Sequence, residues 1–484
     1  MTGSGRTTAR AASWAFVSTI GAKVVTLASL ALLARLLSPA DFGLLAFALT
    51  YIVYVETIGD LGSGVALIYW PDRRDDAAQV TFIVNAIAGV FWCLLTIVLA
   101  PWIADFFNAP GGIPLVQALA FGFVLKYLGT THDALAQKDL RFRERTVPEL
   151  AMALVKAGVA VTLALRGVGA WSLVWGHLTG MATWTVLLWW IVPWRPRRSL
   201  PRDLFRPMLS YGRGIIFVNV LTAIEDRTDL AVVGRYLGLR ALGLYQLASK
   251  LPEATVAVIV RVASRVLVPA FSGLHARREN LQGAYLLASR YIGAMTLPVV
   301  TGLAILAQPI ILTFFGRQWI EAAPMVSALA ILGGVRAISN HAGDVLKATG
   351  RASLLARFEV VRAAMIVPAV LIAAQRSAVS VAMAMVAVDG IATLIVFRLT
   401  SRAIGVGLGA IARAFAPSVL SAAVMAAALA AWQRWSPAWG TLPTMMAGIA
   451  LGAVVYLTAL RVADPTLLAG ARNLLFHRRE EVSR

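Results

Sequence analysis

Twelve ionisable side chains interrupt the long apolar runs of this sequence: Lys23, Glu56, Asp60, Lys126, Lys156, Glu225, Asp226, Arg227, Asp229, Lys250, Arg336 and Asp389. Glu56 and Asp60 are four residues apart, hence on one face of a helix. Carboxylates so placed can take up a small cation or a proton, or neutralise a neighbouring base such as Lys23. Glu225, Asp226, Arg227 and Asp229 crowd too closely for one stabilising pair and favour a solvated face. Arg261 and Arg265 form another i, i+4 pair, and guanidinium forks grip oxyanions bidentately. Ordinary anchoring at a membrane surface competes with that role, as snorkelling competes for Lys250. Arg336 lies in the middle of its run. Lys23, Lys250, Arg261, Arg265 and Arg336 are therefore the candidate anion-binding set. Glu56, Asp60, Asp226 and Asp229 are the candidates for ion coupling or charge balance. Lys126, Lys156 and Asp389 suit structural pairs.

Other chemistries find little support. Cys93 is the one cysteine, and the histidines at 132, 177, 275, 341 and 477 lack the paired spacing of metal ligands. His341 with Asp344 could relay a proton, but a satisfied histidine at a helix end fits better. Gly212-Arg-Gly214 follows no strand and is no nucleotide fingerprint. No cofactor is expected beyond a coupling Na⁺ or H⁺. With no nucleotide loop and no room for a soluble catalytic domain, ATP hydrolysis by this chain is not expected.

The elements that carry these residues follow from composition. Of 484 residues, 59% are hydrophobic and 14% charged, against about 45–50% and about 25% in soluble domains. That much apolar surface needs lipid as its solvent. A crossing helix takes about 20 apolar residues, and the chain offers fourteen such runs: roughly 11–37, 41–69, 78–101, 112–135, 147–166, 170–193, 211–234, 241–271, 286–306, 319–346, 354–374, 378–400, 409–431 and 442–461. The first is too long for a cleaved signal peptide, and continuous apolarity excludes a β-barrel. Ser38, Pro39 and Asp41 mark a helix start, and Gly62 and Gly64 suit close helix packing. Loops on the side of the N-terminus hold 26 Lys and Arg, those on the other side seven. Both termini are thus expected in the cytoplasm. The net charge of +20 then reads as an orientation signal facing anionic membrane lipid, not as nucleic-acid binding. Tryptophans at 70, 102, 171, 194, 319, 432, 435 and 439 fall at run ends, as an interfacial belt requires. Exposing all twelve inner charges to lipid would cost roughly 36 kcal/mol at about 3 kcal/mol each, so most must pair or line a wet cavity.

The chain also echoes itself. Ala31, Arg35, Leu37, Gly43, Leu44 and Ala48 recur 200 residues on as Ala231, Arg235, Leu237, Gly243, Leu244 and Ala248. Pro101, Ile103, Phe106 and Phe107 recur as Pro309, Ile311, Phe314 and Phe315, and Val116, Ala118, Leu119 and Ala120 as Val326, Ala328, Leu329 and Ala330. An even number of spans separates the copies, so the repeats run parallel, a transporter plan with the site between lobes. The expectation is an all-α integral membrane protein with about fourteen transmembrane helices. Two parallel six-helix lobes, 1–193 and 211–403, flank a basic cytoplasmic linker at 194–210. A further helix pair at 404–461 and a basic cytoplasmic tail at 462–484 complete the chain.

The stretches ARLLSPADFG (Ala34–Gly43), DLGSGVALI (Asp60–Ile68) and DLAVVGRYLGLRALGLY (Asp229–Tyr245), with Asn85 and APWIADFF (Ala100–Phe107), resemble polysaccharide-transport flippases. This is the colanic-acid-exporter-like branch of the superfamily that includes MATE drug exporters and the lipid II flippase. The resemblance covers about 10–460. In place of that branch's Gln-Arg/Lys-Asp, this chain has Tyr69, Trp70, Pro71 and Asp72, which leaves the glycan's identity open. The resemblance implies fourteen helices in two lobes that export undecaprenyl-pyrophosphate-linked oligosaccharide by alternating access. The cationic set would meet the pyrophosphate. It further implies a multi-pass protein of the cytoplasmic membrane, a lipid-linked oligosaccharide as substrate, and a polysaccharide polymerase or glycosyltransferase as a candidate partner. Two other readings stay open. A MATE-type drug exporter commonly has twelve helices and an acidic, aromatic cavity. A membrane-embedded glycosyltransferase or polymerase would need a large outer loop with catalytic carboxylates, and the outer loops here are short.

Overall fold

In lipid the backbone must satisfy its polar groups within its own segment, and the apolar runs accordingly coil into helices. The computed structural model describes residue 21 and residues 25–59, 61–70, 72–277, 279–435 and 440–467. Lys23 and Asp60 lie outside these residues, as do the side chains of Arg261 and Arg265, whose backbone is helical. Among the described residues no strand occurs, and nine segments are helical, long and apolar enough to cross a membrane. The chain divides into two compact units, Met1–Gln246 and Leu247–Arg484.

The first unit holds α1 (Val25–Leu36), α2 (Pro39–Gly59), α3 (Ser63–Tyr69), α4 (Arg74–Phe106), α5 (Ile113–Lys138), α6 (Phe142–Leu165), α7 (Trp171–Ile191) and the first part of α8 (Arg202–Ala276). α5 is its hub, packed on α2, α3, α4, α6 and α7. The polar side chains turn inward. On α4, Thr96 shares a hydrogen bond of 3.2 Å with Tyr51, and Asn85 donates to Ser63 at 3.2 Å. Ile87, Leu94, Val98 and Trp102 of the same helix are exposed, an apolar outer stripe that suits lipid. At the start of α2, Asp41 accepts from the backbone N–H of Ser38 and donates its own N–H to the Ser38 hydroxyl, a reciprocal cap.

One run read from apolarity as a single helix is interrupted, and the separation expected between the runs 211–234 and 241–271 falls at Gly238. The run 41–69 breaks between Gly59 and Ser63, where Leu61 and Gly62 adopt φ of 51° and 69°. Gly62 thus serves the break rather than helix packing, because a left-handed residue is cheapest at glycine. α8 spans 75 residues, about 110 Å if straight, yet Gly238 stands in it at φ 83°, ψ 176°. The Tyr245 hydroxyl donates to the Asp229 carboxylate at 2.9 Å. Sixteen helical residues would separate them by about 24 Å, so the chain doubles back at Gly238.

The stretch between α7 and α8 is pinned. Gln79 donates to the Arg197 carbonyl at 2.6 Å and accepts its N–H at 2.8 Å. Arg197 also pairs with Asp75, and Arg73 with Asp203. Trp194 is buried in a core with Leu67, Leu135 and Met208. Trp319 is likewise buried, whereas Trp102 and Trp435 are exposed. The tryptophans at run ends therefore split between core and surface.

The second unit contains the rest of α8 with α9 (Leu281–Ile305), α10 (Ala307–Phe314), α11 (Ala323–Ala348), α12 (Ala352–Ala374), α13 (Ala378–Ile404), α14 (Leu408–Trp435) and α15 (Thr441–Ala463). α11 packs on α9 and α13, and α14 on α9 and α15.

Candidate functional site

A cavity of about 340 Å³ opens in the first unit, lined from α2, α5 and α8. Each helix contributes one face. Val53, Glu56 and Thr57 come from α2, Lys126, Tyr127 and Thr130 from α5, and Asn219, Thr222, Ala223, Asp226 and Arg227 from α8. These spacings of three, four and seven place polar groups on the inner side of helices whose other residues are mostly apolar. Tyr127 is almost fully buried, and α2 approaches it where Gly59 has no side chain. A Cβ there would lie 1.8 Å from the Tyr127 hydroxyl.

Charge in the cavity is balanced. Lys126 Nζ lies 2.9 Å from Glu56 Oε2, with both side chains largely withdrawn from solvent. Asp226 and Arg227 supply a second acid and a second base. Thr57 donates its hydroxyl to the Val53 carbonyl at 2.7 Å, and Thr130 donates to that of Lys126 at 3.0 Å. Their protons are committed to their own helices, so their oxygens face the cavity as acceptors.

Of the ionisable residues singled out from the sequence, the cavity unites Glu56, Lys126, Asp226 and Arg227. Asp229 is not among the lining residues: it is buried, accepts from Tyr245, and accepts the N–H of Leu230 at 2.8 Å. In the second unit Arg336 Nε lies 2.7 Å from Asp389, which is buried, and Arg362 approaches the same carboxylate at 3.9 Å. Lys250 meets Glu253 three residues on, at 2.8 Å. His341 is wholly enclosed, with Ser289 at 2.8 Å, the Ile338 carbonyl at 2.6 Å and Tyr285 stacked upon it. Asp344 instead accepts from Ser264 at 2.5 Å. No group of three or more acids, cysteines or histidines placed to hold a metal occurs among the described residues.

Residues 32–324, more than half of the chain, match the family model described as "Polysaccharide biosynthesis protein". The chain belongs to this family. Among its relatives is the succinoglycan biosynthesis transport protein ExoT of Rhizobium meliloti, 27% identical over 96% of this chain and 94% of that protein. The lipopolysaccharide biosynthesis protein WzxC of Escherichia coli is 24% identical over 92% and 87%. In fold, the chain is similar to the lipid II flippase MurJ in an inward closed conformation, with a TM-score of 0.75 at 15% identity, covering 94% of this chain and 99% of that one. An inward-facing multidrug resistance MATE transporter gives 0.65 at 16% identity, over 79% and 94%.

Within this polysaccharide biosynthesis family member, reading by charge missed the neutral part of the lining: Thr57, Tyr127, Thr130, Asn219 and Thr222. It assigned Lys126 to a structural pair, and Lys126 does pair with Glu56, in the cavity wall. The signal was present in the spacing of Asn219, Thr222 and Asp226, polar residues at helical spacing on one face of α8.

Proposed function

We propose that the chain is a flippase that carries undecaprenyl-pyrophosphate-linked oligosaccharide repeat units across the cytoplasmic membrane by alternating access. The observation that carries this reading is the polar, charge-balanced cavity of the first unit, lined from α2, α5 and α8 within an otherwise strongly apolar bundle. Such a cavity is where a polar headgroup crosses while its isoprenoid tail stays in lipid. The names of the relatives, a succinoglycan transport protein among them, support a glycan cargo. On this reading fourteen helices form two parallel six-helix lobes and a further pair, with both termini in the cytoplasm. Arg261 and Arg265 meet the pyrophosphate as it enters, with Lys23, Lys250 and Arg336 deeper. Glu56, Asp60, Asp226 and Asp229 balance charge or take up a coupling Na⁺ or H⁺. The membrane potential supplies about 2.3 kcal/mol per charge per 100 mV.

The test uses the purified chain in liposomes loaded on one face with a labelled polyprenyl-pyrophosphate glycan. Access of that glycan to an added glycosidase is followed with and without an imposed ion gradient. Protein-dependent exposure is expected. Its absence across several glycans, with the protein folded, overturns the reading.

A further inference from the structure

The flippase reading leaves open which part of the cargo enters the cavity of the first unit, and its hydrogen-bonding character decides between them. Glu56 and Asp226 offset Lys126 and Arg227, so the lining carries no net charge. A pyrophosphate brings two negative charges that such a lining leaves uncompensated. Recruiting Lys126 to it would strip Glu56 of its partner at 2.9 Å and leave a withdrawn carboxylate unpaired. The neutral groups point the same way. Thr57 and Thr130 have spent their protons on the carbonyls of Val53 and Lys126, and with the two carboxylates they make much of the wall an acceptor surface. An ionised phosphate has no proton to offer acceptors. A sugar hydroxyl has one, together with lone pairs for Lys126, Arg227 and the Asn219 amide.

We propose that this cavity binds the uncharged, hydroxyl-bearing sugars of the cargo and excludes its pyrophosphate, an inference that rests on the flippase reading. Thr57, Thr130 and Asn219 are the specificity-determining residues, accepting from and donating to sugar hydroxyls. At about 340 Å³ the cavity is at the small end of ligand pockets, which run ~300–1,000 Å³. It holds part of a repeat unit rather than the whole. Charged sugars such as uronates are disfavoured by the same balance that disfavours phosphate.

The experiment measures equilibrium binding to the full chain in lipid nanodiscs with three probes: a neutral hexose tetrasaccharide, geranyl pyrophosphate, and the organic cation ethidium. The tetrasaccharide is expected to bind. Thr130→Val, which keeps shape and removes the acceptor, and Asn219→Leu should each weaken it about tenfold. Geranyl pyrophosphate affinity should stay within twofold in both variants and in Lys126→Gln. The proposal is overturned if the tetrasaccharide does not bind, or if both variants leave its affinity unchanged. It is equally overturned if Lys126→Gln abolishes geranyl pyrophosphate binding, or if ethidium displaces the tetrasaccharide. The same preparation is assayed for glycan flipping in liposomes. Flipping without these binding effects removes the sugar assignment alone, whereas absent flipping removes the flippase reading beneath it.

Discussion

The pair Lys126–Glu56 is where local chemistry and transport meet most directly. Their side chains are 32% and 19% exposed, so the pair is neither a surface bridge worth about 0–1 kcal/mol nor a sealed one whose breakage costs about 3–5 kcal/mol. Lys126→Ala should therefore destabilise the protein by about 1–3 kcal/mol by stranding Glu56, and Glu56→Gln in that background should recover most of the loss. Thermal unfolding in detergent of both single variants and the double variant checks this. Additive losses would mean that the two side chains do not depend on each other. The sequence exposed Glu56 as costly in lipid but suggested Lys23 as its partner, because charge counting cannot say which helices are neighbours. The partner is fixed by packing between α2 and α5. Gly59 allows that packing by leaving room for Tyr127. Likewise, Asp229 drew attention as a carboxylate in an apolar run, and it also accepts a hydrogen bond from Tyr245 across the two arms of α8, a contact visible only once the chain reverses.

Helices were legible because apolarity over twenty residues leaves the backbone little choice; the gap between the runs ending at 234 and starting at 241 likewise marked the reversal at Gly238, whereas the break at Gly62 was not legible, because it acts through a positive φ that hydropathy does not register. One pair of glycines shows how sequence and packing converge. Gly43 and Gly243 occupy matching places in the echo at a shift of 200 residues. A Cβ at Gly43 would lie 1.9 Å from the Leu239 carbonyl oxygen, and one at Gly243 would lie 1.9 Å from that of Pro39. Positions 39 and 43 thus touch 243 and 239 reciprocally, the contact pattern of two segments crossing about a local two-fold axis. The obstructing atoms are backbone, which cannot swing aside as a side chain can. Gly43→Ala and Gly243→Ala should each destabilise by more than the about 1–3 kcal/mol of ordinary overpacking, and by similar amounts. Gly158→Ala on α6 is the control. Nothing lies within 4 Å of its added Cβ, and the change should be neutral or raise stability by up to about 1 kcal/mol. Melting temperatures of the three variants in one detergent decide it, and a tolerated alanine at 43 or 243 would refute the close crossing.

Across the whole molecule, 44 basic residues face 24 acidic ones, and the acids are engaged at joints of the structure. Arg73 meets Asp203, Arg74 meets Asp139, Arg336 meets Asp389, and Arg290 meets Asp464. Acid therefore acts twice, cutting these ties and raising a net positive charge that already repels itself. The Arg290–Asp464 tie shows the sign. Burial, the largest single influence, raises the Asp464 carboxyl, but the Arg290 guanidinium, with its Nε 3.0 Å away, together with Thr466 and the N–H of Leu467, outweighs burial and holds it below the usual carboxylate range. Thr466 and the N–H of Leu467 also donate to it, which fastens the chain leaving α15 to α9. A carboxyl whose folded value is depressed contributes stability above its unfolded value, near 3.9, and that contribution disappears as pH falls through the folded value. Asp464→Asn should thus cost about 1.5–3 kcal/mol at pH 7, the range for hydrogen bonds to a charged group. The gap between variant and parent should narrow steadily below about pH 4. Unfolding curves from pH 7 to pH 3 read this directly. A gap that is constant with pH would assign the loss to packing around α15 rather than to the charge on Asp464.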